Sequence, residues 1–158
     1  MLFLNLAHLP DGPLMAVDPG MKTIGVAVCD AERRVVTPLT TIERSKFTQD
    51  AAQLFALYDE RACSGLIIGL PVHMDGGDGK RAQSARSLAT NLLRLRDIAI
   101  GYQDERLSTF AAEERLREAG VRPEDFKRYV DAEAAAIILE SALQAISDAK
   151  STPPDAPS

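Results

Sequence analysis

Residues Gly65-Leu66-Ile67-Ile68-Gly69-Leu70 carry no polar side chain in either alternating set. Successive side chains of a strand point to opposite faces, so this segment must be covered on both sides. That is the mark of a central strand in a layered sheet rather than of a one-sided sheet. The surroundings of the run fit the same plan. Three strand patterns precede it, over residues 14–17, 23–29 and 34–41, the first two joined by a tight turn through Pro19 and Gly20 and expected to form a hairpin. Pro38 marks the third as an edge strand or an irregular one.

A helix is expected from an N-cap at Ser45 to about residue 61, with Ala51, Leu54, Phe55 and Tyr58 as its apolar stripe. After the central strand come a helix over about 80–94, a fifth strand over 98–102, a helix over about 109–119 stopped by Gly120, and a last helix over about 130–146. An antiparallel meander followed by alternating strands and helices predicts an α/β fold, a five-stranded mixed sheet with helices on both faces. Residues 1–13 read as a short N-terminal leader, 14–147 as one domain, and the Pro- and Ser-rich 148–158 as a disordered tail. There is no internal repeat.

The chain has 158 residues, enough for one domain with a full core. No apolar run reaches the length of a membrane span, and the apolar start MLFLNL has no preceding Lys or Arg, so neither a membrane protein nor a signal peptide is expected. The expected compartment is the cytoplasm. Cys29 and Cys63 lack metal-ligand spacing and read as small buried side chains in a reducing environment. A net charge of −5 runs against the basic footprint of most nucleic-acid binders, although an acidic metal site would account for part of it.

Ligands of such sheets gather outside the carboxyl ends of strands. Three carboxylates fall there or close by. Asp18 follows the apolar Leu14–Val17 segment, where a charge is costly unless paired or metal-bound, although Asp before Pro-Gly is also a common turn. Glu105 follows the fifth strand, beside Asp104 and Arg106, where a solvated loop is the alternative. Asp131 heads a stripe of Ala135, Ile138, Ala142 and Ile146, and favourable placement near a helix N-terminus is its simpler explanation. Three carboxylates meeting at one sheet edge would hold a hard divalent cation such as Mg²⁺ or Mn²⁺, which assists phosphodiester cleavage. Mid-strand Gly25 is expected to admit a substrate backbone. Lys22 and Arg106 are candidate phosphate contacts, as are Lys80 and Arg81 at the start of a helix that follows the glycine-rich loop 69–79. His73 reads as a hydrogen-bonded loop residue or a proton shuttle.

Four segments in order, DPGMKTIGVAVCD, GLPVHMDGGDG, DERLST and VDAEAAAIIL, resemble the YqgF family, described as Holliday junction resolvases and as nucleases maturing the 5′ end of pre-16S rRNA. The resemblance covers residues 14 to about 146. It implies an RNase H-like fold, a cytoplasmic location and metal-dependent phosphodiester hydrolysis. By position, its acidic residues are Asp18, Glu105 and Asp131. The chain departs from the family pattern at Pro19, Met21 and His73, and has only Lys127 and Arg128 as bases just before Asp131.

The expected partner is nucleic acid, pre-rRNA ahead of branched DNA, with a ribosome precursor as the setting and a monomer or homodimer as the working form. No aromatic platform signals a choice between the two nucleic acids: aromatics make up 5% of the chain and Trp is absent. Two other readings stay open. One is an actin-like ATP-binding module, which needs two such domains. The other is a non-catalytic assembly factor that has kept the fold.

Overall fold

The computed structural model describes residues 1–71, 79–106 and 108–151. Within them the strands are β1 (Leu2–Phe3), β2 (Leu14–Pro19), β3 (Thr23–Cys29), β4 (Val36–Glu43), β5 (Gly65–Leu70) and β6 (Ile100–Asp104). The helices are α1 (Phe47–Glu60), α2 (Gly79–Leu95), α3 (Ser108–Glu118) and α4 (Phe126–Ser151), with short 3₁₀ turns at Leu6–His8 and Pro123–Asp125. The sheet order is β1-β6-β5-β2-β3-β4. β2, β3 and β4 form the antiparallel meander, while β5 runs parallel to β2 and β6 parallel to β5.

The mixed sheet is as expected, but it has a sixth strand. β1 pairs parallel with β6, matching Leu2 to Ile100 and Phe3 to Gly101. Leu2 and Phe3 therefore belong to the sheet, and Leu9 is buried in the core. The signal was too short to read, because two residues cannot display a period. The proline in β4 does both things expected of it: β4 is an edge strand, and its register with β3 slips between Val26 and Ala27, opposite Thr40 and Pro38.

Strand alternation sorts the side chains into two cores. Met15 and Val17 of β2, Ile24 and Val26 of β3, and Leu66 and Ile68 of β5 pack under α1 and α2. Leu14 and Ala16 of β2 and Ile67 of β5 face the other way, against Ile138, Leu139, Ala142 and Ile146 of α4. Each fully buried Leu or Ile of these layers contributes about 1.5–3 kcal/mol. β3 shows small residues to α4, with Ala27 against Ala135 and Ala136, so helix and sheet pack closely.

The largest boundary difference concerns α4. It begins at Phe126, straight after the 3₁₀ turn, and continues to Ser151. It thus starts before the expected residue 130 and takes in the first residues of the expected tail, whose remainder, 152–158, lies outside the described residues. α1 also starts later than expected. Lys46 occupies the cap position, and Ser45 lies one residue outside, its N–H donating to Asp50 Oδ1 at 3.0 Å. α3 stops where expected, with Gly120 at φ +86° accommodating the left-handed turn. Among the described residues no helix is long and apolar enough to cross a membrane.

Candidate metal and nucleic-acid site

β2 continues through Asp18 and Pro19, so Asp18 lies within the strand, on its α4-facing side with Leu14 and Ala16. It is 8% exposed. Glu105 follows β6 directly and is 7% exposed. β5 separates their strands, and Gly69 makes the approach possible. A Cβ there would lie 3.1 Å from Glu105 Oε2 and 2.7 Å from Ile138 Cδ1. Without a side chain at 69, the Glu105 carboxylate reaches over β5 towards Asp18.

The result is a strained electrostatic pair. Burial, and then the adjoining Glu105 carboxylate, push the Asp18 carboxyl up to about 8; Asp131 adds to the rise and Arg81 opposes it. Asp18 Oδ1 and both Glu105 oxygens are buried with no hydrogen-bond partner. Native interiors leave few such atoms unpaired, and each is costly. Arg81 Nη2 lies 2.9 Å from Glu105 Oε1, an ion pair whose contact is out of line for a hydrogen bond.

Asp131 stands slightly apart. It lies in the second turn of α4, so placement in the helix's first turn does not explain it. It is half-buried, and its Oδ2 accepts a 2.6 Å hydrogen bond from Thr23 Oγ1. Gly25 sets its position. A Cβ at Gly25 would lie 2.0 Å from the Asp131 carbonyl oxygen. The space that Gly25 leaves is therefore filled by the α4 backbone, not by a substrate backbone as expected. Because Gly25 pairs across the ladder with Asp18, the same contact brings α4 to Asp18. Among the described residues no three His, Cys, Asp or Glu side chains are drawn together as a ready metal cluster. Asp18 and Glu105 meet, while Asp131 is within electrostatic range of Asp18 but tied to Thr23.

The remaining candidates divide. Lys22 and Lys80 are exposed. Arg106 is exposed beside Asp104, with Nε 3.7 Å from Oδ2, and its N–H donates to Asp104 Oδ1 at 2.8 Å. Asp104 is exposed and thus serves the turn. His73, with the glycine-rich loop, lies outside the described residues. Cys29 and Cys63 are both free; burial pushes both thiols up, Cys63 to about 11. Sequence reasoning missed Thr23, Gly69 and the actual partner of Arg81. Thr23 had one usable signal, since it shares a strand face with Gly25.

Three buried carboxylate oxygens without a hydrogen bond are hard donors of the kind a divalent cation takes, so the residues fit such an ion.

Comparison with known proteins agrees with this architecture. A family model described as "RuvX: Holliday junction resolvase" matches residues 12–145. A protein of Cereibacter sphaeroides strain KD131 named "Putative pre-16S rRNA nuclease" is 49% identical over 139 residues, covering 87% of each chain. One of the same name from Paramagnetospirillum magneticum is 50% identical over 133 residues, covering 84% of this chain and 86% of its own. Among solved structures, Thermus thermophilus RuvC in complex with a Holliday junction substrate superposes with a TM-score of 0.56 at 12% identity, covering 89% of this chain and 98% of that one. That likeness establishes the RNase H-like fold.

Proposed function

Since the chain belongs to the RuvX (YqgF) family of Holliday junction resolvases, we propose that it is a divalent-metal-dependent endonuclease of the cytoplasm, processing the 5′ end of pre-16S rRNA in a ribosome precursor. The observation that carries the reading is the buried Asp18–Glu105 pair, three of whose oxygens have no hydrogen bond. Two neighbouring buried carboxylates destabilise the fold unless they bind something positive. The name shared by relatives near 50% identity supports RNA as the substrate.

Asp18 and Glu105 would hold Mg²⁺ or Mn²⁺, with Asp131 as the third ligand. The bound cation would lower the pKa of a water nucleophile and neutralise charge developing on the phosphodiester. The chain's own residues set the geometry. Thr23 fixes the Asp131 carboxylate, Gly25 sets the height of α4, and Gly69 admits Glu105. Lys22, Lys80, Arg81 and Arg106 would bind substrate phosphates. The working form would be a monomer or homodimer.

The family description and the junction-bound RuvC fold support one second reading, cleavage of branched DNA. A two-fold dimer would then be needed for symmetric cutting. The test offers purified protein a labelled pre-16S 5′ leader and a four-way DNA junction, with Mg²⁺ or Mn²⁺ and with Asp18→Ala as control. Metal-dependent cutting of the RNA leader, lost in the variant, is the expected result. Cutting of the junction alone would move the substrate to DNA. No cutting of either would leave a binding role in ribosome assembly.

A further inference from the structure

Arg81 contradicts the simplest expectation for a basic residue at the start of a helix. It does not reach freely into solvent for a phosphate. It folds back onto Glu105, its guanidinium 2.9 Å from an oxygen of a side chain that is only 5% exposed, while its own side chain stays 41% exposed. The Glu105 carboxylate that it touches reaches over Gly69 towards Asp18, so one cation stands beside the buried pair. We propose that Arg81 is the resident counter-cation of the Asp18–Glu105 pair in the metal-free protein, and that divalent cation binding releases its guanidinium to the substrate phosphate.

Three features support an exchangeable pairing. The contact is close but misaligned: Glu105 Oε1 gains charge compensation from Arg81 without an aligned N–H···O bond, so its lone pairs stay free for another ligand. An aligned, bidentate Arg–carboxylate pair would resist exchange far more. The arginine side chain is already 41% exposed, so its guanidinium has a route to solvent. A cation ligated by Glu105 would also lie close to the guanidinium, and like charges at that range repel strongly at low effective dielectric. Charge counting agrees. With all three carboxylates ionised, as a bound metal requires, they and one Arg leave a formal −2, which repels a phosphodiester. A divalent ion brings the site to zero with Arg81 still present and free to pair with the phosphate. This places Arg81 between the metal reading and the phosphate reading, and it rests on the nuclease assignment only for the identity of the phosphate.

The test uses full-length protein and isothermal titration with Mn²⁺, alongside thermal melting in EDTA. Arg81→Gln is expected to bind Mn²⁺ about 3–10-fold more tightly, because a competing cation is gone. It is expected to melt lower than wild type in EDTA and to regain the wild-type melting temperature with Mn²⁺. Arg81→Lys keeps the charge and should titrate within about twofold of wild type. A merely structural arginine would lower melting equally with and without metal and leave the isotherm unmoved; that result overturns the proposal. So does an absence of Mn²⁺ binding in both proteins, since there would be nothing to exchange. If the isotherms behave as expected but neither RNA nor DNA is cut, the nuclease reading fails and the counter-cation role stands.

Discussion

Asp18 is the residue on which charge and burial meet. Its carboxyl titrates near 8 in the fold against an ordinary 3.8, so the folded protein holds a proton there that the unfolded chain has released. The sign follows from linkage: this contribution is fully present below about pH 3.8 and is lost as pH rises through 8. In EDTA, the melting temperature should therefore fall between pH 5 and pH 8, and Mn²⁺ should restore it. Asp18→Asn should flatten that slope, raise stability at pH 8 by about 1–2 kcal/mol, roughly 3–6 °C, and abolish cleavage. Calorimetry across pH decides it; an unaltered slope in the variant would assign the loss to another group. The approximate placement of Asp18, Glu105 and Asp131 was legible in the sequence, from an apolar run before the first, a strand before the second and an apolar stripe after the third. That two of them converge while the third is tethered was not readable. It depends on Thr23 Oγ1 reaching Asp131 across 108 positions of chain. Thr23→Val should cost about 1 kcal/mol of stability and lower turnover about tenfold or more, seen as a drop in kcat in steady-state assays.

At the level of elements, two glycines decide whether helix and strand bring the carboxylates together. The sequence showed Gly25 and Gly69 as gaps in strands but not what fills them, because the occupants, α4 and the Glu105 side chain, arrive from distant parts of the chain. Gly25→Ala forces the backbone of α4 away from β3. A destabilisation of about 1–3 kcal/mol or more is expected from overpacking, with cleavage lost even at temperatures where the protein stays folded. Denaturant melts run beside the assay separate the two effects, and a stable, active variant would show that α4 is free to shift. Helix and strand identities were legible from periodicity and from breakers such as Gly120. The start of α4 was not, since Lys127 to Tyr129 carry no apolar stripe to extend the pattern.

For the whole molecule, a net charge of −5 coexists with a proposed polyanionic substrate. Of the four candidate phosphate contacts, Arg81 and Arg106 lie beside carboxylates in the metal-free state. Binding of RNA in EDTA should thus be weak, and Ca²⁺, a divalent probe, should strengthen it. With so few free bases, the log–log dependence of affinity on salt should be shallower than about −3, measured by fluorescence anisotropy on a single-stranded leader. A steep slope in EDTA would reveal a basic surface elsewhere.

α4 carries Asp131 and packs on β2, β3, β4, β5 and β6, as well as on α3. Ribosomes synthesise chains from the N-terminus, so this helix emerges after every strand it covers. Until then Asp131 has not come within range of Asp18, and β3 exposes Thr23, Gly25 and Ala27. A nascent chain would consequently lack a complete site until α4 has emerged and packed. Nuclease activity would be withheld until synthesis has passed α4, a translational delay built into the order of the chain.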